Sequence, residues 1–316
     1  MRLPVPLCGV VPPVCTPLKA SGEVDTRSLG SLVAHLLRAG VHGVFALGTS
    51  GEAAFLGDAQ RRVVVRTVVE AVGGRVPVLA GVIGTSTGPV LEHARAAAEL
   101  GADALVVTAP FYAAAHPSEV MDHYRRVRAA VDLPVIAYDI PSHVHTKLTA
   151  AVLLPLAEDG TLAGLKDSSG DLGALRRLLV ELRRRRLGDR FAVLTGSELT
   201  VDAALLAGAH GVVPGLGNVD PAAYVRLYEH GRAGRWAEAA AEQDRLAELF
   251  RLVETGDPAE MSGGSSALGG FKAALRLLGV IDCAATAAPQ RPLPESSVAT
   301  VRRLLTESGL LRTTTG

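Results

Sequence analysis

The sequence predicts an α/β fold, a (β/α)8 TIM barrel with a small C-terminal helical appendage, and three observations carry that prediction. Short apolar runs alternate with amphipathic helical stretches from residue 9 to about 235. The runs are rich in Val, Ile, Leu and Ala without strict polar alternation, the pattern of strands buried on both faces. Eight such units, spaced roughly 25 to 35 residues apart, match the count and length of the barrel. A doubly wound open sheet has the same alternation and is the structural competitor, because periodicity does not report closure.

In chain order the strand runs are Gly9–Thr16, Val41–Leu47, Val76–Ile83, Ala104–Ala109, Pro134–Tyr138, Leu162–Lys166, Phe191–Thr195 and Gly211–Pro214. Helical patterns lie between them, among them Ser28–Ala39, Ala59–Val72, Val90–Leu100, Ser118–Ala130 and Leu172–Arg186. Glycine stops follow two of these helices, at Gly40 and Gly101. After residue 235 the strand runs end, which divides the chain into a catalytic barrel over 1–235 and a helical region over 236–316. In the latter, Trp236–Val253, Gly270–Leu278 and Val298–Leu305 read as helices. The Gly/Ser-rich segment Thr255–Gly270 reads as a connector, and Arg312–Gly316 as a frayed tail.

Composition narrows the function classes. The 316 residues are 48% hydrophobic, and 32 basic side chains balance 32 acidic ones. Zero net charge gives no electrostatic footprint for nucleic acid or an anionic membrane. Cys8, Cys15 and Cys283 are too scattered for a disulfide framework or a paired-cysteine metal site, which suits a reducing compartment. Pro4 and Pro6 interrupt the stretch where a signal peptide needs an apolar core, and no apolar run is long enough to span a bilayer. The expectation is a cytoplasmic protein with small-molecule partners.

In a parallel barrel the reactive groups stand at the C-terminal ends of the strands. Lys166, one of only four lysines, ends an apolar run there. Burial would lower its pKa and make it a nucleophile able to form an imine with a ketone, or it pairs with Asp167 as an ordinary strand-end lysine. Tyr138 ends the preceding strand, where a phenol shuttles protons or merely packs. The loop Gly48-Thr49-Ser50-Gly51-Glu52 offers backbone N–H groups and two hydroxyls to a carboxylate, or is a plain βα turn. His143 and His145 have the spacing of two metal ligands, yet no third is evident nearby in the sequence. The arginines at 183–186 close a helix and read as a solvated face.

Together these residues resemble the dihydrodipicolinate synthase / N-acetylneuraminate lyase family of class I aldolases. The resemblance starts at Pro13-Val14-Cys15-Thr16-Pro17 and runs through GTSGE at 48–52, APFY at 109–112, YDIP at 138–141 and GLKDSSGD at 164–171. It closes with FKAALRLLG at 271–279. It implies that Lys166 is the Schiff-base lysine for pyruvate or another 2-oxo acid, and that Tyr138 donates and accepts the protons. It places Thr49 and Ser50 on the substrate carboxylate, with Thr49 also linking Tyr138 into a proton relay that Tyr112 completes from a neighbouring subunit. Gly196 and Val213 match backbone positions of the pyruvate pocket, beside Gly48.

The resemblance further implies a reversible aldolase or lyase that needs no cofactor and no metal and forms a homo-oligomer, a dimer or tetramer. One departure bears on specificity. The synthases carry an arginine two residues after the proline of YxxP, gripping the second substrate's carboxylate, and His143 stands there in this chain. Asp139 stands where Asn is common. Both point to a different aldehyde, such as one cleaved from a 2-keto-3-deoxy sugar acid. The competing expectations are dihydrodipicolinate synthase proper, a sugar-acid dehydratase of the same family, a non-catalytic keto-acid-binding relative, and a metal-dependent aldolase using His143 and His145.

Overall fold

The computed structural model describes residues 4–312. Eight parallel strands follow one another around the sheet: β1 (Gly9–Val10), β2 (Val44–Ala46), β3 (Val78–Gly81), β4 (Ala104–Thr108), β5 (Val135–Asp139), β6 (Gly164–Asp167), β7 (Ala192–Thr195) and β8 (Gly211–Val212). Their order is β1-β8-β7-β6-β5-β4-β3-β2, every neighbouring pair parallel. The ends meet through Pro13 and Phe45, where Phe45 N donates to Pro12 O at 3.0 Å and Val14 N to Phe45 O at 2.8 Å. This is the (β/α)8 barrel and not the open sheet. The expected first strand, Gly9–Thr16, shortens to two residues because Pro12 and Pro13 have no N–H for a ladder.

Alternation along each strand sorts side chains between two cores. Ala104 and Val106 of β4 face the barrel interior with Ile136 and Tyr138 of β5. Leu105, Val107, Val135 and Ala137 face the surrounding helices. Each large apolar side chain buried this way is worth roughly 1.5–3 kcal/mol relative to leaving it in water.

The helices are α1 (Thr26–Arg38), α2 (Asp58–Val72), α3 (Thr87–Glu99), α4 (Pro117–Ala130), the one-turn α5 (Pro141–Val144), α6 (Ala150–Glu158), α7 (Leu172–Arg184), α8 (Val201–Ala207) and α9 (Pro221–Arg232). Gly40 and Gly101 both adopt the left-handed conformation, φ 80° and 88°, that ends α1 and α3. Three further helices follow: α10 (Trp236–Phe250), α11 (Gly263–Leu277) and α12 (Glu295–Glu307). No helix among the described residues is long and apolar enough to cross a membrane.

One expectation is corrected. Half of the Gly/Ser-rich Thr255–Gly270 segment is not a connector but the first half of α11, capped by Ser262, whose Oγ accepts from Ser265 N. Small residues there serve close packing: a Cβ on Gly270 would lie 2.4 Å from Leu252 O, and one on Gly269 2.9 Å from Leu293 Cγ. Of the expected frayed tail, all but Arg312 lies outside the described residues.

Candidate active site

Adjacent strands assemble the site. Thr108 pairs in register with Tyr138, Tyr138 with Lys166, and Lys166 with Leu194. Paired positions share a face of the sheet, and Tyr138 and Leu194 belong to the interior core. Lys166 therefore points inward, only 5% exposed. Its Nζ donates to Ser168 Oγ at 2.9 Å and sits 3.5 Å from the centroid of the Tyr138 ring. Burial lowers its pKa, with Tyr138, Glu198 and Asp167 partly opposing that shift. More of the amine is neutral, and so nucleophilic, than in a solvated lysine.

Tyr138 Oη lies 3.0 Å from Thr49 Oγ1, in the loop after β2. That loop is held from several sides. A Cβ on Gly48 would come 2.7 Å from the Phe45 ring, so only glycine lets the chain lie against the barrel floor. Thr16 Oγ1 donates to Gly51 O at 2.7 Å, and the buried Arg61 guanidinium donates to Ala53 O and Gly81 O. Glu52, at φ 59°, accepts from Lys272 Nζ of α11 and from Ala287 N. Both side chains of the Glu52–Lys272 pair are fully buried, and burial raises the Glu52 pKa against the pull of Lys272.

The remaining expected residues fall as follows. Ser50 and His143 line a cavity of about 300 Å³ beside Thr49. A Cβ on Gly196 would lie 2.0 Å from Ser168 Oγ, so glycine lets the loop after β7 close on the partner of Lys166. Val213 is buried in the interior wall after β8. Tyr112 is not brought in: its ring is 90% exposed and its hydroxyl makes no hydrogen bond among the described residues. His143 and His145 join no group of three metal-ligating side chains among the described residues. Asp139 does not face the site at all. It alternates with Tyr138 to the outside of β5, is fully buried, and binds Lys147 Nζ and Leu148 N, tying down the segment that carries His143.

Two polar groups were assigned no role from the sequence. Ser168, two residues after Lys166, shares its face, which the two-residue period of a strand signals. Glu198, after β7, accepts from Leu216 N at 2.7 Å and Tyr224 Oη at 3.1 Å. Desolvation raises its pKa to about 7, opposed by these donors and by Lys166. No sequence spacing announces it, since its partners come from the β8 loop and α9.

A model of the Dihydrodipicolinate synthetase family matches residues 6–308. An uncharacterized DapA-like lyase of Halobacterium salinarum is 38% identical over 308 residues, 98% of this chain and 96% of the relative. A 4-hydroxy-tetrahydrodipicolinate synthase of Anaeromyxobacter dehalogenans is 34% identical over 299 residues, 94% of this chain and 96% of the relative. Among solved structures, YagE, a prophage protein of E. coli K12 belonging to the dihydrodipicolinic acid synthase family and crystallised with pyruvate, superposes with a TM-score of 0.89 at 30% identity. That match covers 96% of this chain and 99% of YagE.

Proposed function

The chain belongs to the dihydrodipicolinate synthetase family, whose members are lyases and aldolases, and we propose that it is a class I aldolase that binds pyruvate or a related 2-oxo acid as an imine on Lys166. The observation that carries the proposal is the Lys166 amine, desolvated over the Tyr138 ring, with Tyr138 Oη in contact with Thr49 Oγ1.

The chemistry follows from those positions. The neutral amine adds to the keto carbon, and loss of water leaves a protonated imine. Its positive charge acidifies the neighbouring carbon, which loses a proton to become an enamine. The enamine carbon attacks the aldehyde carbon, a C–C bond forms, and the former carbonyl oxygen takes a proton from Tyr138. Hydrolysis of the imine releases a 4-hydroxy-2-oxo acid and restores the amine. Thr49 and Ser50, with the backbone N–H groups of their loop, would hold the keto acid's carboxylate. The reverse sequence cleaves the same bond. The scheme itself admits any aldehyde, one from a 2-keto-3-deoxy sugar acid included, so the choice of acceptor rests with the walls around it. His143 in place of an arginine argues against dihydrodipicolinate synthase proper, since a neutral imidazole has no bidentate fork for a carboxylate. The exposed Tyr112 ring gives a second copy of the chain a place in the relay, and a dimer or tetramer is part of this proposal.

The test needs no second substrate. In heavy water, the enamine exchanges the methyl protons of pyruvate for deuterium, which proton NMR follows directly. The wild type is expected to catalyse the exchange and Lys166→Ala to show only the uncatalysed rate. Equal exchange in both removes the proposal.

A further inference from the structure

We propose that the aldehyde taken by this enzyme is uncharged and largely apolar, seated in the cavity of about 300 Å³ between the loops after β2, β4 and β5 and the helix α11. The proposal deepens the imine reading and rests on it. Thr49 lines the cavity and its hydroxyl lies 3.0 Å from Tyr138 Oη, so an aldehyde there is one hydroxyl away from the group that would protonate its oxygen.

The walls define the guest. Phe55, Ile83, Phe111, Ile140, Leu268 and Phe271 supply the largest apolar side chains of the lining. Among the described residues no arginine or lysine lines the cavity, and His143 is its one titratable lining group. Burial, Lys166 and His145 all lower the His143 pKa, which disfavours the charged ring that would hold a carboxylate. An acceptor rich in hydroxyls fares worse than an apolar one, because the large apolar side chains of this lining offer most of its hydroxyls no hydrogen bond.

Besides Thr49, Ser50 and His143, the lining holds two polar atoms, Thr108 Oγ1 and Gln290 Oε1, that are buried without a hydrogen-bond partner among the described residues. Native proteins leave few such groups unpaired. Here they provide one or two fixed points for a donor on an otherwise apolar guest. Sites of this make-up, apolar walls with a few placed polar atoms, are the usual form of small-molecule pockets.

The experiment compares benzaldehyde and butanal with D-glyceraldehyde and succinic semialdehyde as acceptors for pyruvate, reading kcat/KM from the coupled product. The apolar pair is expected to exceed the other two by roughly tenfold or more, the discrimination that a hydrophobic pocket gives. Phe111→Ser, at a partly exposed wall position, should cut the advantage of benzaldehyde over D-glyceraldehyde several-fold. His143→Arg should raise succinic semialdehyde relative to benzaldehyde. Equal or better use of the hydroxylated or carboxylated aldehyde by the wild type, with pyruvate methyl exchange intact, overturns the apolar assignment alone. Absence of methyl exchange overturns the imine reading, and this proposal with it.

Discussion

The two sides of the barrel mouth are built differently. On the side formed by β5, β6 and β7, polar groups are partnered: Lys166 with Ser168 and the Tyr138 ring, Tyr138 with Thr49, Glu198 with Leu216 N and Tyr224. On the side formed by the loops after β2 to β5 and by α11, the surface is mostly apolar, and Thr108 Oγ1 and Gln290 Oε1 have no hydrogen-bond partner among the described residues. The first side sits on strand ends whose register the ladder fixes. The second combines loops with a helix whose sequence position lies far from the barrel strands. A rigid, satisfied side suits a reaction step common to every substrate, and an unfilled side suits whatever varies between substrates.

The largest expected effect strikes the reactive side. Tyr138→Phe keeps the ring under Lys166 and removes only the hydroxyl. Aldol turnover should fall by about 10²–10⁴, the usual worth of a positioned proton donor, with a much smaller change in the KM for pyruvate. Similar turnover in the variant would move the proton transfers elsewhere.

Next comes the buried pair that ties the loop after β2 to α11 within the second side. Lys272 and Glu52 are buried together, and removing one partner leaves a buried unpaired charge. Lys272→Ala should lower unfolding free energy by about 3–5 kcal/mol in urea melts. The double replacement Lys272→Met with Glu52→Leu should recover much of that loss, because an apolar pair needs no desolvation compensation. If that recovered stability came with unchanged methyl exchange, the pair would hold the fold without aligning Thr49 and Ser50.

A smaller effect separates charge from shape at Glu198. Its carboxylate raises the Lys166 pKa against the dominant effect of burial. Glu198→Gln removes that charge, so the Lys166 pKa falls further and the acid limb of methyl exchange should move to lower pH. Stability carries a second sign. Glu198 has a folded pKa of about 7 against an ordinary 4.5, so the folded state binds the extra proton. The stability this gives is complete below 4.5 and is lost as pH rises through 7. Glu198→Gln should flatten that part of the stability–pH curve, and an unchanged curve would mean that Glu198 is solvated.

The smallest effect concerns the segment behind His143. Asp139→Asn keeps the acceptor oxygen for Leu148 N but drops the ion pair with Lys147. A loss of about 1–3 kcal/mol is expected, read by thermal melting, with acceptor KM rising more than pyruvate KM.

The barrel was legible because its signal is local: each strand needs only a short apolar run, and each helix an amphipathic stretch, several of them ended by a glycine. Lys166 and Tyr138 were legible for the same reason, as polar residues ending apolar runs. That the Asp139 side chain lies behind β5, and reaches the acceptor side only through the segment carrying His143, was not legible, because successive strand residues point to opposite sides. The first half of α11 was missed because glycine and serine have low intrinsic helix propensity. The close approaches of Gly269 and Gly270 to Leu293 and Leu252, which favour small residues there, exist only after folding. The Lys272–Glu52 pair spans 220 residues, and no spacing rule reaches that far.

The central claim is that Lys166, and no other lysine, carries the substrate. The direct measurement is borohydride reduction of the protein with pyruvate, followed by peptide mapping of the modified residue. A reduced adduct confined to Lys166 is the expected result, absent in Lys166→Arg. An adduct on Lys147 or Lys272, or none on a folded protein that still turns over pyruvate, would contradict it.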